Sequence, residues 1–197
     1  MKKVFSLTAL VIFFALLIVA CSNDSSVSGD TMLPLPPAHA QIEPYDDGTG
    51  LIKVTRYAPD GILEQGDYLN NFREGVYTEF HANGYVKTSC GYVRGKKQGQ
   101  MLTLDDKGQI QERATYHNDV LNGPFFIYNR TRIKEKRNYV DGKLSGMLEK
   151  FYPNGTIMEV SNYFDGQLNG VARWYDQEGN LSIEYTYEDG QLVEEEE

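Results

Sequence analysis

Polar and apolar residues alternate along much of the chain, and the alternation is clearest near its C-terminus. Between residues 181 and 187 the even positions are polar, and the odd positions, predicted to share one face, are Leu181, Ile183, Tyr185 and Tyr187. A period of two residues is typical of a β-strand with one packed face and one solvated face. Tyrosine, with 14 copies, is the dominant aromatic residue and also favours pleated sheet over helix.

One sequence pattern recurs through most of the chain at a nearly constant interval. A tyrosine marks each copy, and the successive steps are 24, 24, 23, 24 and 24 residues. In the first five copies a glycine lies seven residues after the tyrosine, and a large apolar residue lies five residues after the glycine. A period of this length indicates a repeat architecture. The positions that define the repeat are Tyr68, Gly75, Tyr92, Gly99, Tyr116, Gly123, Tyr139, Gly146, Tyr163, Gly170 and Tyr187.

Each copy contains two turn sequences, one just after the tyrosine and one at its middle. In the copy that begins at Tyr139 they are Asp141-Gly142 and Asn154-Gly155. Such pairs accept the positive φ that tight hairpins require. Two strands per copy predict an all-β fold for residues 45–193: a single-layer antiparallel meander of about ten to twelve strands, built of tandem hairpins in a curled sheet. Residues 194–197 form an acidic tail.

The loop lengths predict which residues pair across the strands. A two-residue loop after the tyrosine places it opposite a leucine, and a five-residue loop at the second turn pairs a large apolar residue with an aliphatic one. In the copy of 23 residues, the missing residue falls in the second turn, between Tyr128 and Ile133. The predicted pairs are Tyr116 with Leu121, Tyr139 with Leu144, Tyr163 with Leu168, Tyr187 with Leu192, Phe80 with Val86, Leu104 with Ile110, Phe151 with Ile157 and Tyr175 with Leu181.

One pair of positions conflicts with simple alternation. Leu168 and Tyr175 are seven residues apart and would face opposite sides of an uninterrupted strand. We predict a β-bulge at the intervening Gly170, and at the same glycine of each copy, that brings both residues to one face. The bulges would curl the sheet and let the tyrosines pack over glycine backbone.

The N-terminus has the pattern of an export signal. Residues 1–20 contain Lys2 and Lys3, followed by an apolar stretch that ends at Ala20. An uncleaved transmembrane anchor is the alternative. Residues 21–44 turn to serine and proline without periodicity, and we predict a flexible tether there.

The four residues Ile18-Val19-Ala20-Cys21 resemble the lipobox of bacterial lipoproteins. The resemblance implies that the Cys21 thiol is alkylated with diacylglycerol, that the chain is cut before it, and that the new amino terminus is acylated. It implies a protein exported and lipid-anchored to the bacterial cell envelope. Ser22 favours the outer membrane if the host is Gram-negative.

The segments from Tyr139 to Phe151 and from Tyr163 to Tyr175 resemble the variant MORN repeat of bacterial proteins in the YwqK antitoxin-like family. The similarity extends over residues 45–192 and departs from the pattern at 129–132, where the turn glycine is missing. It implies a hairpin-repeat sheet used as a scaffold or binding surface. The tighter glycine and tryptophan pattern of eukaryotic MORN arrays is absent, so lipid binding is not implied.

Charge and residue types argue against several classes of function. The formal net charge is −9, and removal of residues 1–20 with their two lysines makes it −11. Such a chain repels nucleic acid and anionic lipid headgroups. His39, His81 and His117 share no face or metal-binding spacing, and Cys90 has no neighbouring base. We therefore expect no metal, no cofactor and no enzymatic activity.

Two groups of residues are candidates for binding. The first is a basic cluster, in which alternation places residues 132, 134 and 136 on one face: Arg130, Arg132, Lys134, Lys136 and Arg137. It is either a balanced sheet face or a docking site for an acidic partner. The second is a tyrosine stripe, the repeat tyrosines from Tyr68 to Tyr187, which serves either as core or as a surface for sugars or an extended peptide.

Three functions fit these observations. The first is a membrane-anchored, non-enzymatic scaffold that presents a concave sheet to a protein partner. The second is an antitoxin or immunity protein that neutralises a toxin. The third is a lipoprotein that binds cell wall or glycan through exposed aromatic residues.

Overall fold

The computed structural model describes residue 36 and residues 39–193. The predicted signal peptide, Cys21, most of the tether and the acidic tail lie outside the described residues. The described elements are all strands, and none of these residues forms a helix with the length and apolarity needed to cross a membrane. The strands are β1 (Gln41–Pro44), β2 (Ile52–Ala58), β3 (Gly61–Leu69), β4 (Phe72–Phe80), β5 (Val86–Val93), β6 (Lys96–Leu104), β7 (Ile110–His117), β8 (Val120–Leu121), β9 (Gly123–Asn129), β10 (Arg132–Val140), β11 (Lys143–Leu144), β12 (Gly146–Phe151), β13 (Ile157–Phe164), β14 (Gln167–Tyr175), β15 (Leu181–Glu188) and β16 (Gln191–Leu192).

All sixteen strands belong to one antiparallel sheet that follows the order of the chain and is not closed. The predicted all-β, single-layer meander is therefore confirmed. The strand count exceeds the prediction partly because two strands are each divided, at Asn122 and at Ser145, just before a repeat glycine. It also rises because β1 forms within the segment assigned to the tether, where Pro44 and the lack of alternation hid an edge strand that pairs with β2.

The predicted residue pairs are confirmed. Tyr116 pairs with Leu121, Tyr139 with Leu144, Tyr163 with Leu168 and Tyr187 with Leu192. At the second turns, Phe80 pairs with Val86, Leu104 with Ile110, Phe151 with Ile157 and Tyr175 with Leu181. Tyr128 pairs with Ile133, which places the lost residue of the short copy in that turn. Loop length therefore sets the register in every copy.

The repeat glycines lie at backbone irregularities, but the predicted consequence was wrong. In β14, Ala172 pairs with Ser161 and Leu168 pairs with Tyr163, so the stretch around Gly170 holds two more residues than its partner strand. An insertion of two residues preserves alternation, and Leu168 and Tyr175 consequently lie on opposite faces. The glycines are needed for the backbone, with φ from 71° at Gly75 to 115° at Gly123. No tyrosine lies within 4 Å of a Cβ built at any of them.

A second irregularity adjoins the second turn of each copy and adds one residue to the strand that follows the turn. Trp174 pairs with Ile183, whereas the next residue, Tyr175, pairs with Leu181, which leaves Ser182 as the extra residue. Since Trp174 and Tyr175 face opposite sides, Leu181 does not share the face of Ile183. The alternation predicted for residues 181–187 is thus wrong at Leu181, because a one-residue bulge reverses the faces.

The registers assign each residue to one of two faces. We call the face that carries the tyrosine stripe the tyrosine face, and the other the reverse face. Among the described residues the buried side chains lie on the tyrosine face, with Thr55 the exception on the reverse face. They are Val54, Glu64, Tyr68, Tyr77, Cys90, Ala114, Phe125, Glu135, Leu148, Glu159, Ser161 and Ala172.

Hydrogen bonds between turns join each copy to the next. The backbone N–H of Gly166 donates to the carbonyl of Leu144 at 2.8 Å, and that of Gly190 donates to Leu168 at 2.8 Å. Each acceptor is the residue paired with the tyrosine of the preceding copy. On the opposite edge of the sheet, the Tyr152 hydroxyl donates to the Tyr175 carbonyl at 2.8 Å. Each copy therefore depends on its neighbours for satisfied turns, as expected for a repeat protein.

Candidate interaction surface

The tyrosine stripe is packed into the sheet surface at its N-terminal end. Tyr68 and Tyr77 are each 4% exposed, and their rings meet edge to face with centroids 6.2 Å apart. The Arg73 guanidinium lies 3.8 Å from the centroid of Tyr77, and its Nη1 donates to the Tyr92 hydroxyl at 3.4 Å. Burial raises the pKa of Tyr77, whose hydroxyl has no partner among the described residues. This end of the stripe is core.

From Tyr92 onward the repeat tyrosines are half-buried. The Lys97 ammonium lies 4.9 Å from the ring centroid of Tyr116, and Arg137 Nη1 donates to the Tyr139 hydroxyl at 3.3 Å. Cations therefore cover part of the ring surface that a sugar would need for stacking. These contacts favour packing as the main role of the stripe.

A row of glutamates on the tyrosine face was missed in the sequence. Glu64, Glu135 and Glu159 are at most 9% exposed, although glutamate side chains are rarely buried unless they are paired. Each bonds a cation, as Glu159 does with Lys150 at 2.8 Å. The signal was the same repeat: four residues before the tyrosine, copies hold Glu64, Thr88, Glu112, Glu135, Glu159 and Ile183.

Part of the basic cluster is neutralised within the sheet. Lys136 lies 3.0 Å from Glu149 on the reverse face. Arg137, on the tyrosine face, lies 2.7 Å from Glu135, and this hydrogen bond raises the pKa of its guanidinium. These two residues stabilise the sheet and leave little charge for a partner.

The remaining cations lie at the second turn of the short copy. The register shifts between Ile133 and Glu135, so Lys134 is an extra residue, and the predicted alternation of Arg132, Lys134 and Lys136 on one face is wrong. Arg130, with φ 57°, Arg132 and Lys134 are exposed. Arg132 Nη1 donates to the Pro153 carbonyl of the next turn at 2.6 Å, which fixes its guanidinium there.

A groove of about 240 Å³ lies beside these cations. Ile133, Phe151 and Met158 supply apolar surface, and Arg132, Lys134 and Pro153 border it. The groove forms at a difference in loop length. Asn129 pairs with Arg132 across a two-residue loop, whereas five residues separate Phe151 from Ile157 in the next copy.

The described residues offer little for catalysis. No group of three or more His, Cys, Asp or Glu side chains among them is arranged to hold a metal ion. Cys90 is 4% exposed, and burial raises the pKa of its thiol, which disfavours the nucleophilic thiolate. His81 Nε2 lies 3.0 Å from the Leu104 carbonyl oxygen, so its ring stabilises a turn.

Two segments of the chain match the MORN repeat variant. They are residues 144–165 and 168–189, two adjacent copies that each begin at the leucine paired with the repeat tyrosine. MORN repeats are typical of repeat proteins, which often act as interaction scaffolds. The membership in the YwqK antitoxin-like family and the lipoprotein status stay predictions.

Other comparisons add little. No curated protein matches the chain significantly in sequence. A crystal structure of a GtfA/B complex bound to UDP and GlcNAc aligns over 79% of this chain and 25% of that chain, with 16% identity and a TM-score of 0.24. The chain thus spans about a quarter of the length of that protein, and so low a score supports no conclusion about function.

Proposed function

We propose that this protein is a non-enzymatic interaction scaffold, anchored to the cell envelope through Cys21, whose MORN-type sheet carries a docking groove for an acidic segment of a partner protein. The observation that carries the proposal is the groove at the one second turn that lacks a glycine. There Arg132 and Lys134 border apolar surface, and Arg130 lies in the same turn. An irregularity within an otherwise regular array is where a specific function is expected.

Charge and shape both favour an acidic partner segment. The three cations are exposed, and the densest run of basic residues in the chain includes them. Arg132 is held by its bond to Pro153, so little side-chain entropy is lost when it pairs with a carboxylate. The apolar surface of Ile133 and Phe151 would accept aliphatic side chains that alternate with the acidic ones.

Binding of a short peptide of alternating glutamate and leucine to the full chain tests the groove. We expect Arg132→Ala and Lys134→Ala each to weaken binding by about 3- to 10-fold, because each removes a charge at the border of the groove. Lys107→Ala, an exposed cation in another turn, is the matched control and should leave binding unchanged. Equal losses in all three variants would show that only the general field of the chain attracts the peptide, and would overturn the proposal.

The anchor requires a separate test. The lipobox-like Ile18-Val19-Ala20-Cys21 supports it. Metabolic labelling with a fatty acid should mark the native chain, and Cys21→Ala should abolish the label. A labelled Cys21→Ala chain would contradict the lipid anchor, whereas a native chain that stays in the membrane fraction without label would identify residues 1–20 as an uncleaved anchor.

A further inference from the structure

Within residues 39–193, the outer edge of β15 is unpaired over most of its length. On its inner side β15 pairs with β14 from Leu181 to Tyr187. On its outer side β16 covers only Tyr187 and Glu188, and the Val193 N–H donates to the Thr186 carbonyl at 2.8 Å. Among residues 39–193 nothing pairs with the outer edge between Leu181 and Tyr185. Unpaired N–H and C=O groups of this kind are a template for another strand.

The first residue of the acidic tail is a residue type that does not continue the repeat pattern. A step of 24 residues places Glu194 at the position of Gly170, which has φ 97°. A glutamate disfavours this left-handed backbone.

The side chains along the open edge differ from those of the inner copies. Ile183 takes the place of the buried glutamates, and Ile183 and Tyr185 are each 46% exposed. Tyr185 packs edge to face against Trp174, with ring centroids 6.1 Å apart, so its position on the tyrosine face is fixed. Between them Glu184 points to the reverse face, where it pairs with Arg173 at 2.5 Å. The edge thus presents an apolar, acidic, apolar alternation.

The net charge of the chain is concentrated in its C-terminal sequence, which includes β15. Nine of the 28 carboxylates follow Arg173 in the sequence, and no lysine or arginine does. The other 19 carboxylates equal the 19 lysines and arginines in number, so the entire formal charge of −9 belongs to residues 174–197. Such a field attracts a basic segment and speeds its association.

We propose that the outer edge of β15 binds an extended, basic segment of a partner protein as an additional antiparallel strand. Lysine or arginine side chains of the segment face Glu184 and its acidic neighbours, and aliphatic side chains face Ile183 and Tyr185. The sheet already uses this pairing between its own strands, in Lys136 with Glu149 and Lys150 with Glu159. Backbone hydrogen bonds supply affinity, and the alternate side chains supply specificity.

A second copy of this chain is a poorer occupant. Its N-terminal edge strand, β1, contains Glu43 and no lysine or arginine, and the Pro44 nitrogen has no hydrogen to donate. The carboxylate of Glu43 would be repelled by the acidic side chains near β15, and Pro44 would leave a backbone carbonyl of the edge without a donor. The edge of β15 attracts basic residues, whereas the groove beside Arg132 and Lys134 attracts acidic ones, and the two sites are independent of each other.

Peptides of alternating lysine and isoleucine, measured by calorimetry against the full chain, test the proposal. Two peptides are N-methylated on alternate amides in the two possible phases, so that the methyl groups point toward β15 in one and away from it in the other. We expect the unmodified peptide and one methylated phase to bind, and the other phase to bind at least about tenfold more weakly. Equal binding of the two phases would mean attraction by charge alone and would overturn the proposal.

Variants locate the site. Ile183→Lys places on the open edge a charge of the same sign as the lysines of the peptide. It should weaken peptide binding by about tenfold or more. Met147→Lys is the matched control, because Met147 is 51% exposed on a strand paired on both sides, and it should leave binding unchanged. Arg132→Ala should also leave it unchanged, which separates this edge from the groove. A concentration-dependent dimer that Ile183→Lys abolishes would identify a second copy as the occupant and would overturn the assignment to a basic partner.

Discussion

The ring of Tyr77 lies against the backbone of Gly66 on the neighbouring strand. A Cβ built at residue 66 would sit 3.0 Å from Cγ of Tyr77 and 3.1 Å from its Cα, and closer still to Cδ2 of the ring. Gly66 and Tyr77 are directly paired in the sheet, between Val54 and Cys90. Because residue 66 has no side chain, the buried ring of Tyr77 can pack directly against its backbone.

Substitution Gly66→Ala should destabilise the protein by about 1–3 kcal/mol, because the added methyl group overpacks this contact. Gly66 does not have a left-handed backbone, so the loss would come from packing. Chemical denaturation followed by circular dichroism measures the change. The double variant Gly66→Ala with Tyr77→Leu should lose less than the sum of the two single variants, and strict additivity would contradict the proposed clash.

Substitution Gly170→Ala should cost about 1–3 kcal/mol for a different reason. Gly170 has φ 97°, a conformation that a residue with a Cβ adopts only under strain, although the nearest atom to that Cβ would be 3.6 Å away. Gln167→Ala, at an exposed position of the same strand, is the control and should change stability by less than about 0.5 kcal/mol. Equal midpoints of denaturation for the two variants would show that the irregularity tolerates alanine.

The buried and exposed carboxylates should respond differently to truncation. Glu159 is 9% exposed and accepts hydrogen bonds from Lys150 and Ser161, each at 2.8 Å. Glu159→Ala should therefore destabilise the protein by about 1–3 kcal/mol, since it leaves both donors without their acceptor. Glu184→Ala removes an exposed pair with Arg173 and should cost less than about 1 kcal/mol. Thermal denaturation measures the loss of stability in each variant. A larger loss in Glu184→Ala than in Glu159→Ala would contradict this prediction.

The tyrosine face should lose stability at alkaline pH. Burial raises the pKa of Tyr92, Tyr116 and Tyr163 above the usual value of 10.0. A pKa that is raised by folding contributes stability that is present below pH 10.0 and is lost as the pH climbs through the higher folded value, because the unfolded chain ionises first. Tyrosinate absorbance should therefore rise at higher pH in the folded protein than in denaturant. Coincident titration curves in the two states would show that these rings are accessible to solvent.

Much of the sheet could be predicted from the sequence because loop length and apolar pairing agree. The registers of Tyr163 with Leu168 and of Tyr175 with Leu181 follow from counting residues across two turns. The faces could not be predicted, since a bulge of one residue reverses alternation, a bulge of two preserves it, and the glycine that marks the site is compatible with either.

The candidate site was only partly predictable. Lys134 was assigned a face by alternation, but a register shift makes it an extra residue. Residue type alone favours solvent for Glu135 and Glu159, and their burial depends on cations that lie on other strands or beside them. The groove next to Phe151 depends on the relative lengths of two loops from different copies, which only the assembled sheet reveals.

The glycines in the turns after the repeat tyrosines, Gly95, Gly142, Gly166 and Gly190, each donate a backbone hydrogen bond to the copy before. Because these contacts join only neighbouring copies, the array has no central element on which every other part depends. Loss or gain of a whole 24-residue unit would shorten or lengthen the ribbon by two strand widths, about 10 Å, while every junction kept the same chemistry. Evolution can in this way change the distance between two attachment points on such a protein in steps of one repeat.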